Sequence, residues 1–404
     1  MTGVDSGDRY IEALALLAVD VGMNVQPGQV VAITTEPGME KLTRAIAELA
    51  YARGAVYVDP WMFDVHVKHS RLKHAPEDTL GWIPPWFGAR LRALGEINAA
   101  WVTLRGPIAP NLLEDIDPVR VGLDTLPRVP ESGPLIGAGA FNWSIIPSPT
   151  PGWAAGIYPD LPIEQAYARL WEQVARICRL DEPDPKAAWL ARLTQLEALA
   201  VQLSELKLDA VRFVRPGTDL TVGLLPSSKW VAGRDKTAFG VTHTVNIPTE
   251  EVFTAPDPER VNGYVAATKP LFLYGGIVDG LKVGFEQGRV VGVEADRGAD
   301  AVRTLVKRDE GAARLGEVAL VDRASRIAES GTVFYETILD ENAASHIALG
   351  RAYPVNVSDP ADLERLNVSA IHIDFMIGAD DVAVTGLRAD GSEIPLLRDG
   401  DWQI

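Results

Sequence analysis

A segment near the end of the chain, residues 369–378, carries a histidine and a carboxylate two positions apart. It alternates with the period of a β-strand, so His372 and Asp374 would point to one face while isoleucine and phenylalanine cover the other. Imidazole nitrogen and carboxylate oxygen are ligands that divalent metals accept. Because His-x-Asp is short and common, the pair fits a metal site and a solvent-facing polar pair on an edge strand equally well.

Two other segments set carboxylates among apolar residues. Glu250 and Glu251 stand together before Val252, and Glu317 lies near the start of residues 315–321, which we predict to be a buried strand. A carboxylate in such a setting needs a cation or hydrogen bonds to stay ionised. Taken singly, each of these glutamates is slightly better explained by an exposed strand end.

His346 belongs to residues 340–350, which we predict to be a short helix with acidic residues at its start and Gly350 at its end. A lone histidine on a helix is weak evidence for a site. Together, however, the second half of the chain offers more nitrogen and oxygen ligands than one zinc ion needs, and they fit a two-metal site with a bridging carboxylate. These residues are one or both of Glu250 and Glu251, with Glu317, His346, His372 and Asp374.

A second histidine cluster, His66, His69 and His74 with Asp64, lies in the first half of the chain. Lysine and arginine residues surround it and would repel a cation, so we predict a solvated charged segment there. The sequence also lacks a dinucleotide-binding glycine fingerprint, a phosphate-binding loop and a Gly-x-Ser-x-Gly nucleophile elbow.

Composition narrows the class of protein. The chain has 404 residues and a formal net charge of −17, which argues against nucleic acid and anionic membrane surfaces as partners. A single cysteine, Cys178, excludes an intrachain disulfide and a cysteine-based zinc site. There is no apolar run of about 20 residues and no signal-peptide pattern at the start, so we expect a cytoplasmic location.

The first half of the chain alternates helix and strand patterns. Helical periodicity at residues 11–21 and 41–53 and strand patterns at 30–33, 55–58 and 101–104 indicate an α/β domain with a largely parallel sheet. Residues 106–160 are rich in proline and glycine and are predicted to form loops.

The second half reads as a mixed α+β domain. Helices predicted at 163–180 and 186–206 precede short strands, and Gln287-Gly288 indicates a hairpin. We place the domain boundary near residue 205, which gives an N-terminal domain of residues 1–205 and a C-terminal catalytic domain of residues 206–404.

Several motifs in order resemble the thermophilic metallo-aminopeptidase family of the aminopeptidase T and aminopeptidase S type. The resemblance is strongest between residues 205 and 380 and looser in the first half. The motifs are Gly233–Thr237, Asn246–Thr254, Val261–Gly263, Asp309–Ala312, Leu315–Val321, Asp340–Ala343 with His346, and His372–Gly378.

The resemblance implies a homodimer with two divalent metal ions per chain, such as zinc, cobalt or manganese. It implies that Tyr353 lies beside the metals and that Glu250 is a candidate general base. The metal ligands that it implies are Glu251, Glu317, His346, His372 and Asp374. Of the two adjacent glutamates, the separation from Glu317 favours Glu251 as the ligand.

On this basis we expect hydrolysis of the first peptide bond of short peptides with a free N-terminus by metal-activated water. One alternative is a mononuclear iron ring-cleaving dioxygenase with His346, His372 and Asp374 as its triad, which would leave two glutamates without a function. Another is a dimeric binding module without catalytic activity.

Overall fold

A computed structural model describes residues 7–273 and 276–404. The chain divides into two compact units. The first unit ends at Arg192 and also takes in Arg234–Pro248, and the second comprises Leu193–Gly233 and Thr249–Ile404. The domain boundary near residue 205 stays a prediction.

The described helices are mostly short, and none of them is both long and apolar enough to cross a membrane. They are α1 (Asp8–Leu17), α2 (Glu40–Ala52), α3 (Val65–His74), α4 (Pro85–Glu96), α5 (Pro118–Leu123), α6 (Ser132–Gly137), α7 (Pro151–Ile157), α8 (Ile163–Ile177), α9 (Pro185–Glu205), α10 (Ala299–Leu305), α11 (Arg326–Ser330), α12 (Thr337–Asp340) and α13 (Pro360–Leu363).

The strands concentrate in the second half of the chain. They are β1 (Val30–Thr35), β2 (Tyr57–Met62), β3 (Ala100–Arg105), β4 (Asn142–Pro147), β5 (Ala210–Arg215), β6 (Thr218–Leu224), β7 (Val231–Ala232), β8 (Arg234–Lys236), β9 (Thr242–Thr244), β10 (Glu251–Thr254), β11 (Pro256–Ala266), β12 (Leu271–Leu273), β13 (Gly276–Val278), β14 (Lys282–Glu286), β15 (Arg289–Glu294), β16 (Leu315–Val321), β17 (His346–Gly350), β18 (His372–Met376), β19 (Ala383–Leu387), β20 (Glu393–Arg398) and β21 (Asp401–Trp402).

The first unit is built on a parallel four-stranded sheet in the order β2-β1-β3-β4. The inner strands are apolar because helices cover a parallel sheet on its faces, and Ala32, Ile33 and Val102 are fully buried. The predicted parallel α/β architecture is confirmed.

The prediction of loops for residues 106–160 was wrong. This segment contains α5, α6, β4 and α7. Pro118 and Pro151 begin helices, because a proline at the first helical position loses no hydrogen bond. Two prolines of this segment therefore mark where helices start.

The second unit holds two mainly antiparallel sheets. An eight-stranded sheet has the order β15-β14-β11-β6-β5-β19-β20-β21, and a five-stranded sheet has the order β18-β17-β16-β10-β7. Phe213 and Phe285 from the first sheet and Leu320 and Phe375 from the second belong to one apolar core. The hairpin predicted at Gln287-Gly288 is confirmed, since it joins β14 and β15.

The helix predicted for residues 340–350 was also wrong. A short turn at Glu341–Ala343 follows α12, and the chain then enters strand β17 at His346. β17 is paired on both sides, with β16 and β18, and every one of its residues is buried. This sheet pairing overrides the local helix preference of the alanine-rich sequence.

Candidate metal centre

The predicted ligands on strands β16, β17 and β18 lie on one face of the five-stranded sheet. Ala348 of β17 pairs with Glu317 on one side and with Asp374 on the other. Directly paired residues of antiparallel strands share a face, and every second residue of a strand returns to it. His346 and His372 therefore lie on this same face.

Glu251 reaches this face as the first residue of β10. It pairs with Val321, which is an even number of positions beyond Glu317 on β16. The opposite face of the sheet carries side chains of the apolar core, among them Val252 and Leu320. The sheet thus separates a charged face from the core.

A β-bulge directs Glu317 toward the charged face. Leu315 pairs with Leu349, whereas Glu317 pairs with the neighbouring residue Ala348, so the register shifts between them at Gly316. A bulge inserts one extra residue and changes the face to which the following side chains point. Leu315 is consequently in the core, while Glu317 faces the histidines.

The five predicted ligands form two overlapping groups that could each hold a metal ion, which we call the metal-holding groups. One consists of Glu251, Glu317 and His346, and the other of Glu317, His372 and Asp374. In each group the ligand atoms lie within 4.8 Å of one another. Glu317 belongs to both groups. Its Oε1 lies 3.4 Å from Nε2 of His346, and its Oε2 lies 3.7 Å from Nε2 of His372. Glu251 Oε2 is 3.0 Å from the same nitrogen of His346, and Asp374 Oδ1 is 3.2 Å from that of His372.

The other ring nitrogen of each histidine is held by the backbone. Nδ1 of His346 lies 3.1 Å from the Ala344 carbonyl oxygen, and Nδ1 of His372 lies 2.8 Å from the Arg351 carbonyl oxygen. A carbonyl only accepts, so each Nδ1 carries the proton and donates it. In the neutral ring this leaves the lone pair on Nε2, which is the arrangement that orients metal-binding histidines.

The carboxylates also fit a cation. Within the part of the chain that the structure describes, Glu251 Oε2 and Asp374 Oδ1 are buried and accept no hydrogen bond, although each is close to an imidazole nitrogen. Buried carboxylate oxygens are costly unless a cation or donor compensates them. Divalent metal ions would satisfy them, and the donor set, three carboxylates and two imidazoles, suits zinc, cobalt or manganese.

Protons collect on the two imidazoles when these carboxylates are their only partners. Burial lowers the pKa of His372, but Asp374, Glu317 and the Arg351 backbone together raise it more, to about 9. Burial likewise lowers the pKa of His346, and the nearby Glu251 raises it well above its ordinary value. Protons and a metal ion would therefore compete for the Nε2 atoms.

The carboxyl groups of Glu317 and Asp374 respond differently to this site. Burial raises the pKa of Glu317 above its ordinary value, and the neighbouring histidines only partly offset it. Burial also raises the pKa of Asp374, but His372, His346 and the Asp374 backbone together outweigh it, so that the pKa lies below its ordinary value. Asp374 is thus the carboxylate that ionises more readily.

Tyr353 lies beside His372. Its ring centroid is 4.9 Å from that of His372 and 6.3 Å from that of Phe253. Burial, followed by the charges of Glu317 and Asp374, raises the pKa of Tyr353. The phenol consequently keeps its proton at neutral pH and is able to donate a hydrogen bond.

Glu250 is buried next to Glu251, one of the predicted ligands. Its backbone N–H donates to Oδ1 of Asn342 at 2.6 Å, and the Asn342 amide donates to the Ile338 carbonyl. Asn342 thereby ties the start of β10 to the segment that precedes His346. The side chain of Glu250 does not belong to either metal-holding group.

Sequence reasoning missed Glu341 as a site residue. This buried side chain has a pKa raised well above its ordinary value, first by burial and then by the charges of Asp374 and Glu251. It lies outside the two metal-holding groups and is a further carboxyl group at the site. Its neighbour Asp340 drew attention only as part of a helix start, and no periodic signal marked Glu341 as inward-facing.

The histidine cluster of the first unit shows no metal site. His66, His69 and His74 lie on α3, and none of them belongs to a metal-holding group of the described residues. His69 lies 2.8 Å from Asp115, which also binds Lys73. The segment predicted to be charged and solvated is this helix, and most of its residues are exposed or half-buried.

Comparisons with known proteins cover almost the whole chain. The profile of the family described as thermophilic metalloprotease (M29) matches residues 8–402. Aminopeptidase T of Thermus aquaticus is 40% identical over 409 residues, which cover 99% of this chain and 100% of the relative. Aminopeptidase 2 of Geobacillus stearothermophilus is 37% identical, with 98% of each chain covered. The solved structure of wild-type AmpT from Thermus thermophilus aligns with a TM-score of 0.91 at 39% identity, over 98% of this chain and 99% of that chain.

Proposed function

The chain belongs to the thermophilic metalloprotease (M29) family and is a metallo-aminopeptidase, and from this premise we propose that it removes N-terminal residues from short peptides with two divalent metal ions. The ligands in this proposal are Glu251, Glu317, His346, His372 and Asp374. The observation that carries it is the position of Glu317, whose two oxygens face two different histidines.

The metal ions, when bound, supply a water of lowered pKa and polarise the scissile carbonyl. The chain's part is to hold the ligands in place. Three ionised carboxylates nearly balance the charge of two divalent cations, and the backbone carbonyls of Ala344 and Arg351 orient the two imidazoles. This arrangement favours two ions over one.

A carboxylate near the ligands takes the proton of the attacking water and delivers it to the leaving amine. Glu250 is the candidate that the resemblance suggested. Glu341 is the second candidate, because it is buried within the field of Asp374, Glu251 and Glu317 and is not itself in a metal-holding group. A glutamine substitution at each position distinguishes the two candidates.

Tyr353 is proposed to stabilise the oxyanion that forms on the scissile carbonyl. Its ring lies against His372, and its raised pKa keeps the hydroxyl protonated. A donor that points at developing negative charge lowers the barrier of acyl transfer.

The alternatives are less well supported. An iron dioxygenase triad of His346, His372 and Asp374 leaves Glu251 and Glu317 without a role, although both lie at the same site. The aminopeptidase relatives favour neither this reaction nor a binding module without activity.

Homodimer formation and a cytoplasmic location remain part of the proposal. They follow from the family resemblance and from the composition. Light scattering of the purified protein after gel filtration gives the oligomeric state, and a mass of one chain would contradict the dimer.

The function is tested with leucine p-nitroanilide and the dipeptide Leu-Gly. We expect both to be hydrolysed, activity to disappear after dialysis against a chelator, and cobalt, zinc or manganese to restore it. Peptides with an acetylated N-terminus should be resistant. Full activity after exhaustive dialysis against chelator, or cleavage of the acetylated peptide, would contradict the proposal.

A further inference from the structure

Arg351 is an exposed cation at the rim of this acidic site. It directly follows β17, and its guanidinium carbon lies 5.9 Å from the centroid of the Tyr353 ring. The Tyr353 ring in turn lies 4.9 Å from the ring of His372. The Tyr353 ring therefore contacts both the Arg351 guanidinium and His372, a proposed metal ligand.

The backbone of Arg351 is fixed, while its side chain is available. The N–H donates to the Ile371 carbonyl at 2.8 Å, and the carbonyl accepts from Nδ1 of His372 at 2.8 Å. Within residues 7–273 and 276–404, the guanidinium forms no ion pair and no hydrogen bond; its ring contact is with Tyr353. Other arginines of the second unit are engaged, for example Arg260 with Asp209 and Arg365 with Asp257.

A free peptide brings a carboxylate as well as an amine. The site is lined by the acidic side chains of Glu251, Glu317, Glu341 and Asp374, and the whole chain carries a formal charge of −17. A carboxylate that approaches such a surface is repelled unless a cation receives it. Arginine suits this task because its planar fork binds a carboxylate through two parallel hydrogen bonds.

The distances match a very short peptide. An extended chain spans roughly 3.5 Å per residue, so the carboxylate of a dipeptide or tripeptide lies about 7–10 Å from its amine. The guanidinium carbon of Arg351 is no farther from the His372 ring than its 5.9 Å contact to Tyr353 and the 4.9 Å contact of Tyr353 to His372 placed end to end, which is within reach of such a peptide. In a longer peptide the carboxylate would extend beyond the guanidinium.

We propose that Arg351 binds the C-terminal carboxylate of dipeptides and tripeptides and so directs this enzyme toward the shortest peptides. The inference rests on the proposed function, since it assumes that the scissile bond lies at the metal site. Arg351 acts on substrate selection and not on bond cleavage itself.

The test compares Leu-Gly with Leu-glycinamide, which share the scissile bond and differ only in the terminal carboxylate. We expect the wild type to prefer Leu-Gly by roughly tenfold in kcat/KM, mainly because its KM is lower. High salt should reduce this preference, because it screens the attraction between the two charges. R351Q should lose the preference, and R351K should keep part of it. The exposed Arg308 provides the matched control, and R308Q should keep the full preference. With Leu-Gly-Gly-Gly and its amide, no variant should discriminate.

Binding is measured separately by calorimetry with reduced-bond Leu-Gly, which is not hydrolysed, and its amide. R351Q should bind the acid about tenfold more weakly than the wild type does. An unchanged preference in R351Q would overturn the inference, as would an equal loss for acid and amide, which would mean that Arg351 only positions Tyr353. If the wild type cleaves no substrate, the proposed function fails, and the calorimetry still decides whether Arg351 binds the carboxylate.

Discussion

Leu315 and Glu317 lie two residues apart on β16, yet they face opposite sides of the five-stranded sheet. Leu315 is fully buried in the apolar core, and Glu317 reaches both His346 and His372. The bulge at Gly316 causes this difference, because a regular strand would direct both side chains to one face. The shared carboxylate of the site therefore depends on a glycine.

Replacing this glycine should disturb the site. In G316A the added Cβ would lie 2.3 Å from the Gly350 carbonyl oxygen and 2.5 Å from the Arg351 carbonyl carbon. These are backbone atoms that cannot rotate away, so the bulge must shift. We expect a loss of about 1–3 kcal/mol in the free energy of unfolding and at least a tenfold fall in kcat/KM, measured by urea denaturation and peptide hydrolysis.

The matched control is G292A on β15, where an added Cβ meets nothing within 4 Å. It should have wild-type stability and activity. Wild-type activity and metal content in G316A would show that the bulge does not determine the position of Glu317.

Removal of the Tyr353 hydroxyl tests the oxyanion role. Y353F keeps the ring contact with His372 but loses the donor. We expect kcat to fall about 10²–10³-fold, as for other single oxyanion donors, while KM changes little. Steady-state kinetics with Leu-Gly measures both, and the exposed Tyr264 gives the control Y264F. A kcat within twofold of wild type would remove Tyr353 from the mechanism.

Glutamine substitutions distinguish the two candidate proton carriers. Substitution of the residue that transfers the proton, Glu250 or Glu341, should lower kcat about 10²–10⁴-fold. The variant should still bind metal, because neither residue belongs to the metal-holding groups. Single-turnover rates and metal content of E250Q and E341Q give the answer. If both variants keep wild-type kcat, neither residue is the proton carrier.

His243 predicts a pH dependence of stability that is independent of the metal site. Burial lowers the pKa of His243 from 6.5 to about 4. Within the described residues its Nδ1 has no hydrogen-bond partner, and the ring packs against Trp143. Between these pH values the unfolded chain binds more protons than the folded one, so the stability is full above pH 6.5 and is lost as the pH falls toward 4.

The loss is at most about 3 kcal/mol, since one pKa unit corresponds to about 1.4 kcal/mol. Urea denaturation at pH 7 and pH 5 should show a smaller loss of unfolding free energy for H243Q than for the wild type. The exposed His74 provides the control H74Q, which should behave as the wild type. An identical pH dependence in H243Q and the wild type would refute the assignment.

The sequence predicted those features that depend on local alternation. His372 and Asp374 were expected on one face of a strand, and β18 has them there. The parallel order of the first sheet followed in the same way from alternating helices and strands. Such patterns are local, so they can be read without knowledge of the tertiary structure.

Features that depend on neighbouring strands could not be predicted in this way. His346 was expected on a helix because acidic residues precede it and Gly350 follows it, whereas pairing with β16 and β18 makes it part of a strand. The side of the sheet to which Glu317 points depends on a shift in strand register, and the periodicity of the sequence does not reveal that shift. Glu341 lies at the site because a short turn folds it inward, and its spacing carries no signal.

Metal content of the wild type and of E317Q, measured by elemental analysis after gel filtration, tests the central proposal most directly. Glu317 contributes an oxygen to each of the two groups, so its substitution should weaken both. We expect two divalent ions per wild-type chain, fewer than one per chain in folded E317Q, and two in the control E286Q at the exposed end of β14. A single iron per wild-type chain, or two ions retained in E317Q, would contradict a two-metal site that depends on Glu317.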